Sequence, residues 1–217
     1  MGPLRFRFPT LVSGKPMSSA APFTMPRWEW RTFVPLEGEL SRFQHRSLQA
    51  ASIDAHEISI LCLKSLHDVL IADESILLKW RKQVGPGGLE RWDSVLNATF
   101  PCTARVVGQL FETWGLPLPV LERTHYTQSE FLHEVLPQSP ELRVVEYDRR
   151  TKRFFLDGAS CEVTELTSGT VKVESFSIEH EDPVLTLQVI HRLGLQTRTN
   201  TCYPLGLKTA LHLSTQH

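Results

Sequence analysis

The residues best suited to chemistry in this 217-residue chain lie in short rows where charged and apolar side chains alternate. In MPRWEWRTF, residues 25–33, one acid sits between two tryptophans with an arginine beyond each. Read as a strand, alternate residues share a face, so Arg27, Glu29 and Arg31 point one way and Trp28, Trp30 and Thr32 the other. SFSIEHED repeats the pattern: Ser175, Ser177, Glu179 and Glu181 share a face opposite Phe176, Ile178 and His180. Lys79 and Arg81 share a face in LLKWRKQV. Arg149, Thr151 and Arg153 share one in RRTKRFF, with Arg150 and Lys152 opposite. In CEVTEL, Glu162 and Thr164 alternate with Val163 and Glu165.

Two architectures explain charged rows of this kind. A twisted sheet with one wet face leaves them as solubility residues. A closed barrel with a polar interior turns them into a lining, and closure also removes the sheet edges. In such an interior, carboxylates suit a hard divalent cation, and Arg and Lys suit phosphate oxygens. The barrel makes one physical demand. An inward Glu29 must meet a cation, because a buried unpaired carboxylate is too costly. Either a bound metal ion or an arginine meets that demand, and Arg27 is the arginine that would do so, as a structural ion pair replacing part of the metal's role.

The elements that would carry these rows follow from periodicity and breakers. RWEWRTFV reads as a strand, and a short helix is expected over residues 40–48. HEISILCLKS, DVLIA, ESILLKWRKQV and LERWDSVLNATFP read as consecutive strands, broken at Asp73–Glu74 and at GPGG, residues 85–88. In TARVVGQLFETWG, Val106, Val107, Leu110, Phe111 and Trp114 fall at helical spacing, with Thr103 to cap the start and Gly115 the end. TQSEFLHEVL offers Thr127 and Glu130 as a capping box. LRVVEYDRR, KRFFLDGA, SCEVTELT and KVESFSIEHED return as strands. PVLTLQVIHRLGL reads as a helix with Pro183 in its first turn. Strands, helices, strands, helix, without βαβ alternation, describe an α+β or all-β chain with a large antiparallel sheet.

Composition narrows the function classes. Twenty-three basic and 24 acidic residues give a net charge of −1, so no global field recruits nucleic acid. The basic run DRRTKR is short and lies on predicted strands, which favours a phosphate-lining role over nucleic-acid binding. The four cysteines, Cys62, Cys102, Cys161 and Cys202, form no CxxC pair and read as buried free thiols in a reducing compartment. The scattered histidines form no HExxH. GPGGLERW lacks the Lys-Ser/Thr of a P-loop, and no GxSxG string offers a nucleophile elbow. No apolar run reaches membrane-spanning length. Residues 1–25 are expected to form a disordered or targeting-like extension. They are rich in Ser, Ala and Pro and lack acids, and Met17 or Met25 is an alternative start. Residues 26–213 are expected to form one domain. The location expected is cytoplasmic, with organellar import the alternative.

The WEWR strand, the strand pairs downstream and the EHE strand resemble the CYTH, or triphosphate tunnel metalloenzyme, superfamily, over Arg27 to Leu211. Glu29 and Arg31 match the second and third charged positions of that family's ExExK strand, and Glu179 and Glu181 match its late ExE pair. Lys79, Arg81, Arg123 and Arg153 resemble its basic residues, and Glu162 falls where an acid is expected. NTCYPLGL resembles its C-terminal Tyr-Pro segment. The resemblance implies a tunnel of about eight antiparallel strands with a few flanking helices. Glu29, Glu179, Glu181 and Glu162 would be catalytic or metal-binding. Arg31, Lys79, Arg81, Arg123 and Arg153 would bind phosphate, with Glu57 and Arg149 as secondary candidates. The implied cofactor is Mg²⁺ or Mn²⁺, and the implied ligand is a triphosphate or other phosphorylated small molecule. The sequence also departs from the pattern. Arg27 stands where the first Glu belongs, Leu70 and Ala72 where basic residues belong, and Asn97 where Lys belongs. Each loss removes a phosphate or metal contact, so the alternatives to a metal-dependent triphosphatase are a phosphate-binding protein without turnover and a scaffold of the same fold.

Overall fold

The computed structural model describes residues 26–33 and 51–213. The expected N-terminal extension and the expected helix over residues 40–48 lie outside the described residues. Eight antiparallel strands close into a barrel in the order β1-β10-β9-β8-β2-β3-β4-β5. They are β1 (Arg27–Thr32), β2 (Ala51–Cys62), β3 (Asp68–Ala72), β4 (Ser75–Val84), β5 (Glu90–Thr99), β8 (Leu142–Leu156), β9 (Ala159–Ser168) and β10 (Val171–His180). The first strand makes the closure, pairing with β10 along its length and with β5 over Arg27–Glu29. A separate two-stranded piece, β6 (Cys102–Thr103) with β7 (His125–Tyr126), ties down the helical segment between β5 and β8.

Four α-helices flank the barrel among the described residues. In α1 (Ala104–Trp114), the Val106 amide donates to the Thr103 hydroxyl, and Gly115 ends the helix in the left-handed conformation at φ 67°. In α2 (Gln128–Glu130) the Thr127–Glu130 capping box forms, and the chain continues through a π turn at Phe131–Val135. Asp182 caps α3 (Pro183–Arg192), accepting from the Val184 amide, with proline in the first turn. The fourth, α4 (Tyr203–Ala210), arises from the Tyr-Pro segment.

Alternation along the strands sorts the core into three parts. The outward row of β2–β4, with Ile58, Ile60, Val69, Ile71, Ile76 and Leu78, packs under α1 and α2. On the opposite wall, Trp28, Trp30, Phe176 and Ile178 face outward against Val189, Ile190 and Leu193 on and just beyond α3. A smaller apolar cluster joins the inward row of the barrel, Leu61, Val145, Tyr147 and Leu166, to Leu207 of α4. This helix therefore stoppers part of the barrel interior. Its Lys208 is buried, and the ammonium donates to the Ser65 carbonyl at 2.6 Å.

One expectation about the elements is corrected. LRVVEYDRR and KRFFL are a single 15-residue strand, Leu142–Leu156. Nothing at Thr151 interrupts the alternation, and the break falls instead at Asp157–Gly158, both at positive φ. All four cysteines are free and buried. Among the described residues, no helix is long and apolar enough to cross a membrane.

Candidate functional site

The remaining inward positions enclose a cavity of about 180 Å³. Its charged lining comes from seven strands: Glu29 and Arg31 on β1, Glu57 on β2, Asp68 on β3, Lys79 on β4, Arg149 and Arg153 on β8, Glu162 on β9 and Glu179 on β10, with Leu70, Trp92, Thr164, Tyr203 and Pro204 completing the wall. Strand register explains the convergence. Glu29 lies opposite Glu179 across the β1/β10 ladder, Asp68 opposite Lys79 across β3/β4, and Arg153 opposite Glu162 across β8/β9. Side chains facing each other across a ladder share one face of the sheet, and in a closed barrel that face is the interior.

Most of the charges are already paired. The Arg31 guanidinium donates to Glu29 Oε1 at 2.7 Å and to the Ser175 hydroxyl at 3.1 Å, and it lies 5.1 Å over the Tyr203 ring. Arg149 donates to both Glu57 oxygens, at 2.9 and 3.2 Å, and to the Thr151 hydroxyl at 2.8 Å. Arg153 Nε donates to Glu162 at 2.6 Å. The demand that Glu29 meet a cation is thus met by Arg31, two residues along the same face. The expectation that Arg27 would do so is corrected, since Arg27 sits at the exposed start of the strand.

The acids divide by environment. Burial alone would push Glu29 up, but the charges of Arg31 and Lys79 outweigh it and hold the carboxyl below its ordinary value of 4.5. Glu179 goes the other way: burial and the neighbouring Glu29 charge push it up, and Lys79 and Arg31 only partly offset them. Asp68 is also pushed up, chiefly by burial. Two carboxyls sharing a site resist simultaneous ionisation, and here Glu179 is the one held protonated longer. Tyr203 is pushed up by burial, and its hydroxyl donates to that of Tyr147 at 3.2 Å.

The cavity gathers Glu29, Glu179, Glu162, Arg31, Lys79, Arg153, Glu57 and Arg149. It does not gather three other candidates. Glu181 lies one residue past the end of β10 and is exposed, because the chain turns there to start α3. Arg123 is in the connection before β7, outside the barrel, and its guanidinium pairs with Glu134 and Glu130. Arg81 faces inward but is spent on Glu90 at 2.6 Å, outside the cavity lining. Conversely, Asp68, Trp92, Thr164 and Tyr203 line the cavity without having been singled out. Asp68 begins DVLIA, whose apolar run masks it. The alternation that places Leu70 inward also places Asp68 inward, and that was the usable signal.

Five acids face four bases in this lining, so the cavity alone lacks the positive surplus that a polyphosphate demands. A bound divalent cation would supply it. Among the described residues no three His, Cys, Asp or Glu side chains converge as a ready metal cage. Mg²⁺, however, is commonly held by one or two carboxylates together with phosphate oxygens. The register pair Glu29 and Glu179 fits that mode, since it brings hard oxygen donors together and leaves their mutual repulsion for a cation to relieve.

No protein-family model matches the chain, and no curated protein matches it. Among solved structures it is similar to a conserved protein of Pyrococcus furiosus, at 9% identity over 82% of this chain and 98% of that one, with a TM-score of 0.45. It is similar to a Bacillus halodurans protein assigned as an adenylate cyclase, at 11% identity over 80% and 91%, with a TM-score of 0.42. It is also similar to a Hippeastrum protein assigned as an adenylyl cyclase and described as having a dominant triphosphatase activity, at 12% identity over 79% and 89%, with a TM-score of 0.41. At these identities the likenesses concern fold alone, and the chemistry of the site stands on its own residues.

Proposed function

We propose that this chain is a divergent member of the CYTH superfamily that binds a triphosphate or similar phosphorylated small molecule inside its barrel. The observation that carries this reading is the convergence of Arg31, Lys79, Arg149 and Arg153 on one cavity, each from a different position on the strand wall. Arg149 and Arg153 present planar guanidinium forks suited to nonbridging phosphate oxygens. A ligand phosphate would compete with Glu57 and Glu162 for those forks, so its binding is an exchange of ion pairs. Lys79 contributes a point charge that acts on Glu29, Asp68 and Glu179 and would neutralise charge on the phosphate chain.

Glu29 and Glu179 are the residues that would hold Mg²⁺ or Mn²⁺ against the ligand. When bound, such an ion polarises a phosphoryl group. Arg31 anchors the Glu29 carboxylate in place through its 2.7 Å hydrogen bond, and Tyr203 stacks against that guanidinium from the α4 side. Burial and the neighbouring Glu29 charge raise the Glu179 carboxyl, so holding a cation there would require that carboxyl to lose its proton.

Binding without turnover is the second reading, and a specific arrangement favours it. Glu29 is committed to Arg31, Arg27 replaces an acid, and Glu181 stands outside the cavity. Phosphate release from tripolyphosphate with Mg²⁺ or Mn²⁺, beside a Glu179→Gln control, separates the two. Metal-dependent release lost in the control supports a hydrolase with Glu179 at its centre. Saturable binding with no release supports the binding module. Neither binding nor release by the folded protein refutes both.

A further inference from the structure

A chain of buried hydroxyls crosses the barrel interior beside the cavity. Ser59 on β2 and Tyr147 on β8 lie two residues along the same inward rows from the cavity residues Glu57 and Arg149. Both are buried, and neither lines the cavity. The Tyr203 hydroxyl donates to that of Tyr147 at 3.2 Å, and the Tyr147 and Ser59 hydroxyls are 2.9 Å apart. A phenolic oxygen can accept and donate at once. Tyr147 therefore serves Tyr203 and Ser59 together, and one side chain ties α4 to two strands of the barrel.

The far end of this chain bears on Glu29. The Tyr203 ring lies 5.1 Å from the Arg31 guanidinium, whose Nε donates to Glu29 at 2.7 Å. The backbone just before Tyr203 is tied to the same strand. The Thr201 amide donates to the Arg31 carbonyl at 2.8 Å, and the Arg31 amide donates to Asn200 Oδ1 at 2.7 Å. These bonds fix the backbone and leave the ring its two side-chain torsions. The hydroxyl contact at the tip of the ring removes that freedom. A cation is attracted to the face of an aromatic ring, so the tilt of Tyr203 decides how firmly Arg31 is held. A guanidinium released from the ring can follow the Glu29 carboxylate, where its charge competes with any other cation for the same oxygens.

We infer that Tyr147 is a positioning residue for the Glu29 carboxylate. With Ser59 it sets the Tyr203 ring against Arg31, and through Arg31 it sets Glu29. This rests on the proposed binding of a phosphorylated ligand with a divalent cation at Glu29 and Glu179. The hydroxyl chain makes no hydrogen bond to Lys79, Arg149 or Arg153 among the described residues, so phosphate binding without metal should not depend on it.

The test is titration calorimetry of the full chain with tripolyphosphate, with and without Mg²⁺, beside a thermal melt of each variant. The quantity read is the ratio of the two affinities. Tyr147→Phe should lower that ratio about two- to tenfold, the range that one net hydrogen bond supplies, and leave the affinity without Mg²⁺ unchanged within twofold. Ser59→Ala should act in the same direction. The double variant should lower the ratio no further than Tyr147→Phe alone, because both changes break one chain. An unchanged ratio in folded Tyr147→Phe, with or without a lower Tm, would overturn the inference and leave the phosphate-binding reading standing. Equal losses with and without Mg²⁺ would assign the effect to the shape of the cavity and overturn it as well. If Tyr147→Phe does not fold, Ser59→Ala, which keeps both rings, decides by the same ratio. A parent protein that binds tripolyphosphate equally with and without Mg²⁺ would overturn the cation site and this inference with it. A folded parent protein that does not bind tripolyphosphate at all would overturn the phosphate-binding reading too.

Discussion

Replacing Arg31 by Met tests whether the interior is held together by its ion pairs. The guanidinium is buried, with a side-chain exposure of 8% beside 16% for Glu29. Its loss leaves Glu29 without its partner and facing Glu179 across the ladder. Breaking a buried pair from one side costs about 3 kcal/mol or more, because the remaining charge is uncompensated. The lost hydrogen bond to Ser175 costs about 1 kcal/mol and the lost contact over Tyr203 about 0.5 kcal/mol. The total, about 4.5 kcal/mol, is a large share of the stability of an ordinary domain. For a chain of this size it corresponds to a fall in Tm of about 9–18 °C. Urea titration followed by tryptophan fluorescence, beside a thermal melt, measures it. The double variant Glu29→Gln, Arg31→Met removes the stranded charge and should recover at least about half of the loss, since both partners of the pair are then neutral. A single-variant loss under about 1 kcal/mol, or no recovery in the double variant, would refute the reasoning.

Further consequences follow from the same geometry. Glu29 is held below 4.5, so its contribution to stability is present above that value and is lost as pH falls through the folded-state value. Glu179 is raised, so its contribution is complete below 4.5 and is lost as pH rises through the folded-state value. Glu179→Gln should therefore be more stable than the parent protein at neutral pH, and its stability should lose the decline above 4.5 that Glu179 causes; equal pH profiles in urea titrations would contradict this. A Cβ added to Gly206 of α4 would meet the Phe33 ring at 2.0 Å. Gly206→Ala should thus destabilise by about 1–3 kcal/mol through overpacking and loosen the helix that stoppers the barrel, read as a lower Tm and faster amide exchange in α4. Arg123→Ala removes a cation from outside the barrel and should leave tripolyphosphate affinity unchanged within twofold, since its guanidinium pairs with the carboxylates of Glu130 and Glu134, away from the cavity.

The sequence made the strands and their faces readable where alternation was unbroken. Trp28 and Trp30 against Glu29 and Arg31 announced both sides of β1, and the same parity placed Glu162 and Glu179. Helix boundaries were readable because Thr103, Thr127, Gly115 and Pro183 each act through local backbone chemistry. Positions that depend on where a strand ends were not. Glu181 keeps the parity of Glu179, but Pro183 starts a helix and the intervening turn carries Glu181 into solvent. Arg123 matched by order along the chain, although it belongs to no barrel strand. The choice of Arg31 over Arg27 as the partner of Glu29 is tertiary: β1 is exposed at its first residue and closed over by Ser175 and Tyr203 further along. Tyr203 enters the cavity from a helix, so strand periodicity could not reveal it.

The central claim is that the barrel interior binds a phosphorylated anion. The direct measurement is calorimetric titration of the protein with tripolyphosphate, with and without Mg²⁺, beside Lys79→Met. Lys79 lines the cavity and is central to the charges of Glu29, Asp68 and Glu179. The account predicts one site per chain, tighter with Mg²⁺, and at least about tenfold weaker in Lys79→Met, the order expected for losing a charge-assisted contact. Absence of binding by the folded protein, or an affinity indifferent to Lys79, would contradict it.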